Sequence, residues 1–173
     1  MNAQSDSEEG FVKLVEANRG RILRLCRVYA WNASDQEDLY QVILVQIWRS
    51  LPGLRDNAVV NTWLYRVALN TAISFVRKQK PGRNAIAMEE THLREWERSQ
   101  IQSDAVAGQA RLDRLYEALD KLSKVEKALV TLHLEDLSYE EIGAVLGLDA
   151  SHVGVTLHRA KKKLSNLMTE EPA

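Results

Sequence analysis

Basic residues that could bind phosphate form two groups in the 173-residue sequence. Residues 59–84 contain five arginines and lysines and no acidic residue, and residues 150–168 contain four with no acidic residue. Residues 126–149 are instead acidic, with six carboxylates against one lysine. Because the net charge of the whole chain is −1, a protein that simply coats nucleic acid is excluded. Two local basic groups indicate two separate contacts with phosphate.

No residues have the types and spacing of a catalytic or metal site. The four histidines are scattered, and the two that share a predicted helix, His152 and His158, are six residues apart and do not share one face closely. Cys26 is the only cysteine, so an internal disulfide is excluded and a buried thiol is the simplest interpretation. There is no glycine-rich phosphate loop. We expect neither an enzyme nor a bound cofactor or metal.

The composition is typical of a soluble protein in a reducing compartment. Apolar residues make up 45% of the chain and charged residues 27%, which suits a packed core with a polar surface. No apolar run is long enough to span a bilayer, and the N-terminal sequence MNAQSDSEEG is acidic, unlike a signal peptide. We therefore expect a cytoplasmic protein without a membrane partner.

Helical periodicity runs through most of the chain and predicts an all-α fold of two small domains. Residues 81–108 lose the pattern and mix glycine, serine, glutamine and charged residues, which is typical of a flexible linker. The predicted division is a first helical domain at 1–83, a linker at 84–108 and a second helical domain at 109–173.

The first domain is predicted to contain three helices. The helix over residues 11–30 is expected to break near Gly20, and Ser34 with Glu37 forms a capping box for the next helix. The third helix has an apolar stripe that includes Trp63, Leu64 and Phe75. Its opposite side, the polar face, carries an exposed tyrosine among polar and basic residues: Asn61, Thr62, Tyr65, Arg66, Leu69, Asn70, Ser74, Arg77 and Lys78.

The polar face and the loop before it could bind single-stranded DNA. An aromatic ring, amides and arginines suit stacking on unpaired bases and contacts with their edges. A solvated basic face with one tyrosine is an equally simple interpretation, and the residues by themselves leave both open.

The second domain is predicted to contain a helix-turn-helix. Ser123 with Glu126 forms a capping box for the helix before the motif. Ser138 with Glu141 caps one short helix, Gly147 ends it, and Asp149 caps a second helix that leads into a basic run. Val153 and Leu157 are expected to pack this second helix inward. The second helix points the following residues outward: Ser151, His152, Val155, Thr156, Arg159 and Lys162 or Lys163. Arginine and lysine there would hold phosphates. None of the other outward residues can make the bidentate guanine contact of arginine, so base discrimination should be modest.

The combined motifs resemble those of extracytoplasmic-function sigma factors of bacterial RNA polymerase. SDQEDLYQVILVQIWRSL and NTWLYRVALNTAISFVRK match region 2 of that family, and LSYEEIGAVLGL with LHRAKKKL matches region 4. The resemblance implies that the helix after DQEDL docks on the clamp helices of the largest subunit of core RNA polymerase. The residues it assigns to that contact are Asp35, Asp38, Leu39, Gln41, Val45 and Trp48. Of this helix we expect Asp38 and Gln41 to be exposed and Ile43 and Ile47 to be buried.

The resemblance also implies how such a protein meets promoter DNA. The −10 element would be captured and melted by Arg55, Asn57, Asn61, Tyr65, Arg66 and Asn70, with Arg77 and Lys78 on nearby phosphates. The −35 element would meet the outward residues of the helix-turn-helix, and region 4 would contact the flap of the second-largest polymerase subunit. Family members are often held inactive by an anti-sigma protein, which makes such a protein, or another recruiting factor, a candidate partner.

The sequence departs from the family pattern at several positions. Gln41-Val42 stands where glutamine-glutamate is common, Leu69-Asn70 lies in the usual alanine-arginine-asparagine stretch, and Gly154, Val155 and Thr156 replace basic and hydroxyl residues. We hypothesise that this chain depends on −10 recognition, or on another factor that brings it to DNA. The alternative function is a stand-alone helix-turn-helix repressor or activator, which would leave the first domain without a role.

Overall fold

The computed structural model describes residues 3–54, 59–79 and 103–169, with side chains from residue 7 in the first range and from residue 108 in the last. Within these ranges the secondary structure is helical and contains no strand, which confirms the all-α prediction. The α-helices are α1 (Ala3–Tyr29), α2 (Ala33–Ser50), α3 (Val60–Gln79), α4 (Ser103–Asp120), α5 (Lys124–Leu134), α6 (Tyr139–Leu146) and α7 (Ala150–Thr169). A 3₁₀ turn at Leu51–Gly53 follows α2.

Helices α1, α2 and α3 pack together as the N-terminal bundle. Helix α2 buries Leu39, Ile43 and Ile47, which are four residues apart and fully inaccessible. Burying each such side chain contributes about 1.5–3 kcal/mol to folding. The facing helices α1 and α3 contribute buried residues that include Ile22, Leu25, Cys26, Leu64, Ala68 and Ala72. The predicted burial of Ile43 and Ile47 is confirmed.

Two local predictions for the N-terminal bundle are wrong. Helix α1 continues without a break through Gly20, because packing of its apolar stripe outweighs the propensity cost of about 1 kcal/mol for one glycine. Helix α2 is capped by Asn32 rather than Ser34, since the Asn32 side-chain oxygen accepts the backbone N–H of Asp35 at 2.6 Å. Asparagine and serine are comparable N-caps, so the sequence offered two starts and the earlier one forms.

Helices α4 to α7 form the C-terminal bundle, and its predicted capping boxes are confirmed. Ser123 accepts the backbone N–H of Glu126, whose carboxylate accepts the Ser123 N–H at 2.8 Å. Ser138 and Glu141 repeat the arrangement at the start of α6. These reciprocal bonds satisfy donors that the first turn of each helix cannot pair internally.

The turn between α6 and α7 has the predicted helix-turn-helix geometry. Gly147 ends α6 with a φ of 72°, in the left-handed region that glycine adopts without steric cost. Asp149 then accepts the backbone N–H of His152 at 2.8 Å and starts α7. Gly143 lies so close to the turn that a Cβ at this position would approach the Leu148 carbonyl oxygen within 2.4 Å. The tight junction therefore depends on Gly143 for space and on Gly147 for backbone conformation.

The two bundles pack against each other through α3 with α6 and through α1 with α4. Buried apolar residues from both bundles belong to one continuous cluster. Most of the predicted linker, at 84–102, lies outside the described residues, and α4 already begins at Ser103, before the predicted linker end at 108.

Candidate protein and nucleic-acid interfaces

The outer side of α2 carries exposed apolar residues next to polar ones. Positions 38, 41, 42, 45 and 48 follow helical spacing along one face, and we call Asp38, Gln41, Val42, Val45 and Trp48 the docking face. All five are exposed, and Val45 has 46% of its surface accessible. The Trp48 ring packs edge-on against Phe11 of α1, with the ring centroids 5.2 Å apart, so this large side chain has a fixed position. A contiguous apolar strip on a small helical domain indicates a site for a protein partner.

Asp35 and Leu39 do not belong to this face, which corrects two residues of the predicted contact. Leu39 is fully buried beneath α2 because it lies one turn before Ile43 on the inner stripe. Asp35 is also buried, and its carboxylate accepts hydrogen bonds from Asn32 at 3.0 Å and Gln79 at 3.4 Å. Asp35 therefore joins the start of α2 to the end of α3 and serves the fold.

The polar face of α3 is only partly accessible. Asn61, Arg66, Asn70, Arg77 and Lys78 are exposed as predicted. Tyr65, expected to be an exposed tyrosine, is 2% accessible, and Leu69 is 1% accessible. The predicted apolar stripe was placed about one position too early: the buried residues of α3 are Leu64, Tyr65, Ala68, Leu69 and Ala72. Trp63 and Phe75 are only half-buried. Tyr65 lies beside Ile22 and Leu25 of α1, and α6 of the C-terminal bundle also contacts α3. Arg55 and Asn57, which were also predicted to meet −10 DNA, lie outside the described residues.

A carboxylate from the C-terminal bundle, Glu135, lies over Tyr65. It accepts hydrogen bonds from Arg24 Nε at 2.5 Å, Arg24 Nη2 at 2.6 Å and the Tyr65 hydroxyl at 3.0 Å. Burial, with the neighbouring Glu135 charge, raises the pKa of Tyr65, so the phenol stays protonated and donates. The hydrogen bonds with Glu135 raise the pKa of Arg24. At the next residue of α3, the Arg66 guanidinium donates to the Ala144 carbonyl of α6.

Helix α7 presents most of the predicted −35 residues to solvent. Ser151, His152, Val155, Arg159, Lys162 and Lys163 are exposed, and Thr156 is half-buried. Lys163 is an ion-pair partner of Glu126 on α5, with Nζ 3.1 Å from the carboxylate, so it is held close to its own bundle. The inner side of α7 buries Val153 and Leu157, as predicted. The arrangement supports a helix whose outward side is available to a DNA groove.

Sequence reasoning missed the contacts between the bundles. Arg24 and Glu135 are 111 positions apart, and neither belongs to a motif. The acidic residues 126–149 and the acid-free residues 59–84 suggested an attraction between the two segments, but the ion pair to Glu135 comes from Arg24, which lies in neither. The charge of two segments does not show which residues will lie opposite each other, so it does not identify individual pairs.

Within the described ranges, no group of three or more histidine, cysteine, aspartate or glutamate side chains could hold a metal ion. Burial raises the pKa of the Cys26 thiol to about 12, which makes it a poor nucleophile. No helix in the described part of the chain is long and apolar enough to cross a membrane.

Comparison with known proteins defines the class. A family model described as Sigma-70 region 2 matches residues 14–81, and one described as Sigma-70, region 4 matches residues 112–164. The chain is similar to RNA polymerase sigma factor YlaC of Bacillus subtilis (strain 168), with 31% identity over 137 residues that cover 78% of each protein. It is 27% identical to RNA polymerase sigma factor SigV of the same strain over 172 residues, which cover 99% of this chain and 98% of SigV.

A solved structure has the same fold. The sigma factor RpoE from Bartonella quintana, in complex with the anti-sigma factor NepR, superposes with a TM-score of 0.64 and 19% identity over 96% of this chain and 99% of that one. The chain belongs to the sigma-70 family of RNA polymerase sigma factors. Its similarity to the extracytoplasmic-function (ECF) RNA polymerase sigma factor SigW of Bacillus subtilis (strain 168), with 25% identity over 91% of this chain and 88% of SigW, supports the extracytoplasmic-function type. Sigma-70 region 2 accordingly covers the N-terminal bundle, and region 4 covers the C-terminal bundle from α4 to α7.

Proposed function

We propose that this sigma factor assigns three tasks to three helix faces. The docking face of α2 binds the clamp helices of the largest polymerase subunit, α3 captures the −10 element, and α7 enters the −35 major groove. The observation that carries the proposal is the apolar strip on α2, where Val42, Val45 and Trp48 are exposed at helical spacing on one face. In this proposal region 2 is residues 1–83, and the linker from residue 84 ends before α4 begins at Ser103 rather than at 108. Region 4 then includes α4 and extends to residue 173.

The docking face combines two features of a protein interface. Val42, Val45 and Trp48 supply apolar surface at the centre, and tryptophan is enriched among residues that dominate binding energy. Asp38 and Gln41 lie at the polar margin, where a carboxylate steers and orients a positively charged partner. Asp35 and Leu39 support this surface from below.

Promoter −10 recognition is assigned to α3 and the loop before it. Asn61, Asn70 and Arg66 offer hydrogen-bonding groups for base edges, and Arg77 with Lys78 follows at the end of the helix, where cations can hold phosphates. Tyr65 stays a prediction for base stacking, which would require its ring to leave its packing beside Ile22 and Leu25 of α1. Arg55 and Asn57 stay predictions for the same element.

Promoter −35 recognition is assigned to the outward side of α7. Arg159 and Lys162 are positioned for phosphates, while Ser151, His152, Val155 and Thr156 face the bases. Val155 is suited to the methyl group of thymine. Because Lys163 pairs with Glu126, its contribution to DNA requires exchange of that partner. Weak base reading is tolerable, since two tethered modules raise each other's effective concentration.

Further partners follow from the same assignment. Region 4 would contact the flap of the second-largest polymerase subunit, and an anti-sigma protein is a candidate regulator because the structurally similar RpoE is bound by NepR. The protein would act in the cytoplasm as an initiation factor without catalysis of its own. A stand-alone helix-turn-helix regulator is not favoured, because region 2 matches as well as region 4.

Co-purification with bacterial core RNA polymerase tests the docking face. Asp38→Arg should lower the recovered complex by roughly tenfold or more, since an opposed charge at an interface rim costs association. Glu117→Arg on α4 is the matched control, because it makes the same charge change at another exposed helical position. Recovery of Asp38→Arg at the wild-type level would show that core polymerase does not dock on α2, without affecting membership in the family.

A further inference from the structure

The side of α3 assigned to −10 DNA is already occupied in this structure. The Arg66 guanidinium is bonded to the Ala144 carbonyl of region 4, and Glu135 of region 4 accepts a hydrogen bond from the Tyr65 hydroxyl. We propose that region 4 docks on this face of α3 in the free protein, and that Glu135 holds the closed arrangement. The inference rests on the proposed role of α3, because only then does the docking interfere with promoter binding.

Glu135 is positioned as the centre of the contact. Its side chain is 9% exposed, and its carboxylate receives three donors from region 2. A carboxylate at this depth is stable only while its hydrogen-bond partners are present. The two bonds from Arg24 form a paired, charge-assisted contact that is stronger than a neutral hydrogen bond. Loss of either partner therefore weakens the closed arrangement.

A second contact lies at the other end of the interface. Lys127 of α5 sits over the ring of Tyr29 of α1, with Nζ 4.8 Å from the ring centroid, and also pairs with Asp120 of α4. Cation–π contacts of this kind contribute on the order of 1 kcal/mol. The Glu135 contact and the Lys127 contact together fix the relative orientation of the bundles. One contact alone would let the bundles rotate about it.

The closed arrangement and −10 binding exclude each other. Tyr65 and Arg66 cannot contact an unpaired base while they are bonded to Glu135 and Ala144. The apparent affinity for single-stranded DNA is then the affinity of the open form multiplied by the fraction of molecules that are open. A partner that binds region 2 and region 4 at two distant sites, as core polymerase would, favours the open form because the two bundles must separate to reach both sites.

The closed arrangement can be followed in the full chain by energy transfer between dyes. Ser34→Cys and Ser165→Cys place one label on each bundle at exposed positions, and buried Cys26 stays unlabelled in the native protein. The test variant is Glu135→Gln. Its matched control is Asp136→Asn, which removes the same charge at the next residue, is exposed, and keeps a residue type that tolerates the positive φ at this position.

Glu135→Gln should raise the ratio of open to closed molecules by roughly tenfold, as expected for loss of charge-assisted hydrogen bonds. Transfer efficiency falls accordingly, and the same fall is expected for Arg24→Gln in the other bundle. The double variant Arg24→Glu with Glu135→Arg should restore transfer, which a folding defect would not do. Asp136→Asn should match the parent protein.

Binding of a fluorescein-labelled, mixed-sequence single-stranded DNA of about twelve nucleotides separates this proposal from the assignment of α3. In one outcome, Glu135→Gln lowers transfer efficiency and also tightens DNA binding by about the factor by which the open-to-closed ratio rises. That result supports both the docking of region 4 and the assignment of α3 to DNA binding. If transfer falls and DNA binding is unchanged, the docking stands and α3 is not the DNA-binding face. If transfer is unchanged in both Glu135→Gln and Arg24→Gln, or the charge swap fails to restore it, the docking through Glu135 is wrong.

Discussion

Region 2 has two faces that the sequence predicts to be exposed, and the structure treats them differently. The docking face of α2 is open, with Val42, Val45 and Trp48 in contact with solvent. The polar face of α3 is contacted by region 4, through Glu135 at the Tyr65 hydroxyl and the Ala144 carbonyl at Arg66. Under the proposed assignments, a polymerase could bind α2 while region 4 still contacts α3. The proposal then predicts that docking precedes DNA capture.

The contacts that cover α3 are suited to reversible closure. Arg24 keeps 54% of its side chain exposed, so solvent and salt screen its attraction to Glu135. Exposed ion pairs typically contribute about 0–1 kcal/mol, and the burial of Glu135 places this hydrogen-bonded pair somewhat above that range. Contacts within a chain between domains of this kind separate more easily than a core.

The largest effect is expected from truncations on the two sides of α2. Ile43→Ala should lower the free energy of unfolding by about 2–5 kcal/mol, because it leaves a cavity in the core. Val45→Ala should change it by about 0.5 kcal/mol or less, yet reduce co-purification with core polymerase. Urea denaturation and pull-down measure the two quantities. Equal destabilisation by both variants would mean that the outer side of α2 is packed in solution, and the comparison of faces would fail.

An intermediate effect is expected from loss of the structure that covers α3. Gly143→Ala brings a Cβ against the Leu148 carbonyl and should destabilise region 4 by about 1–3 kcal/mol. Gly154→Ala is the control, since its Cβ would lie 3.4 Å from the Tyr139 ring, an ordinary contact. Replacing a helical glycine there should stabilise region 4 by up to about 1 kcal/mol. Thermal unfolding measures both changes, and a neutral Gly143→Ala would show that the turn tolerates displacement.

The smallest effect is expected from acid at the start of α5. Hydrogen bonding to the Ser123 backbone, with the bond from Lys163, lowers the pKa of Glu126. A carboxylate whose pKa is lower in the folded state stabilises above its unfolded value of about 4.3, and loses that contribution as pH falls through the folded value. Glu126→Gln should cost about 0.5 kcal/mol at pH 7. The difference from wild type in urea denaturation should shrink below pH 4, and a difference that grows in acid would contradict this assignment.

Local signals account for most of the correct predictions. The capping boxes at Ser123 and Ser138 and the turn at Gly147 and Asp149 formed as expected, because each depends on groups within a few residues along the chain. The exposed Asp38 and Gln41 were also predicted correctly. At Asn32 and Ser34 the sequence offered two caps of similar strength, and local reasoning selected the wrong one.

By itself, the sequence determined an all-α fold, its capped helices, a helix-turn-helix and membership in the sigma factor family, because periodicity, caps and motif spacing are properties of short segments. Only the tertiary structure decided which predicted surfaces are accessible. Asp35 and Leu39 became part of the interior, and Tyr65 was covered by Glu135, from 70 positions away. The physical reason is that burial depends on which segments pack together, and the local sequence of a helix does not specify which distant residues will contact its faces.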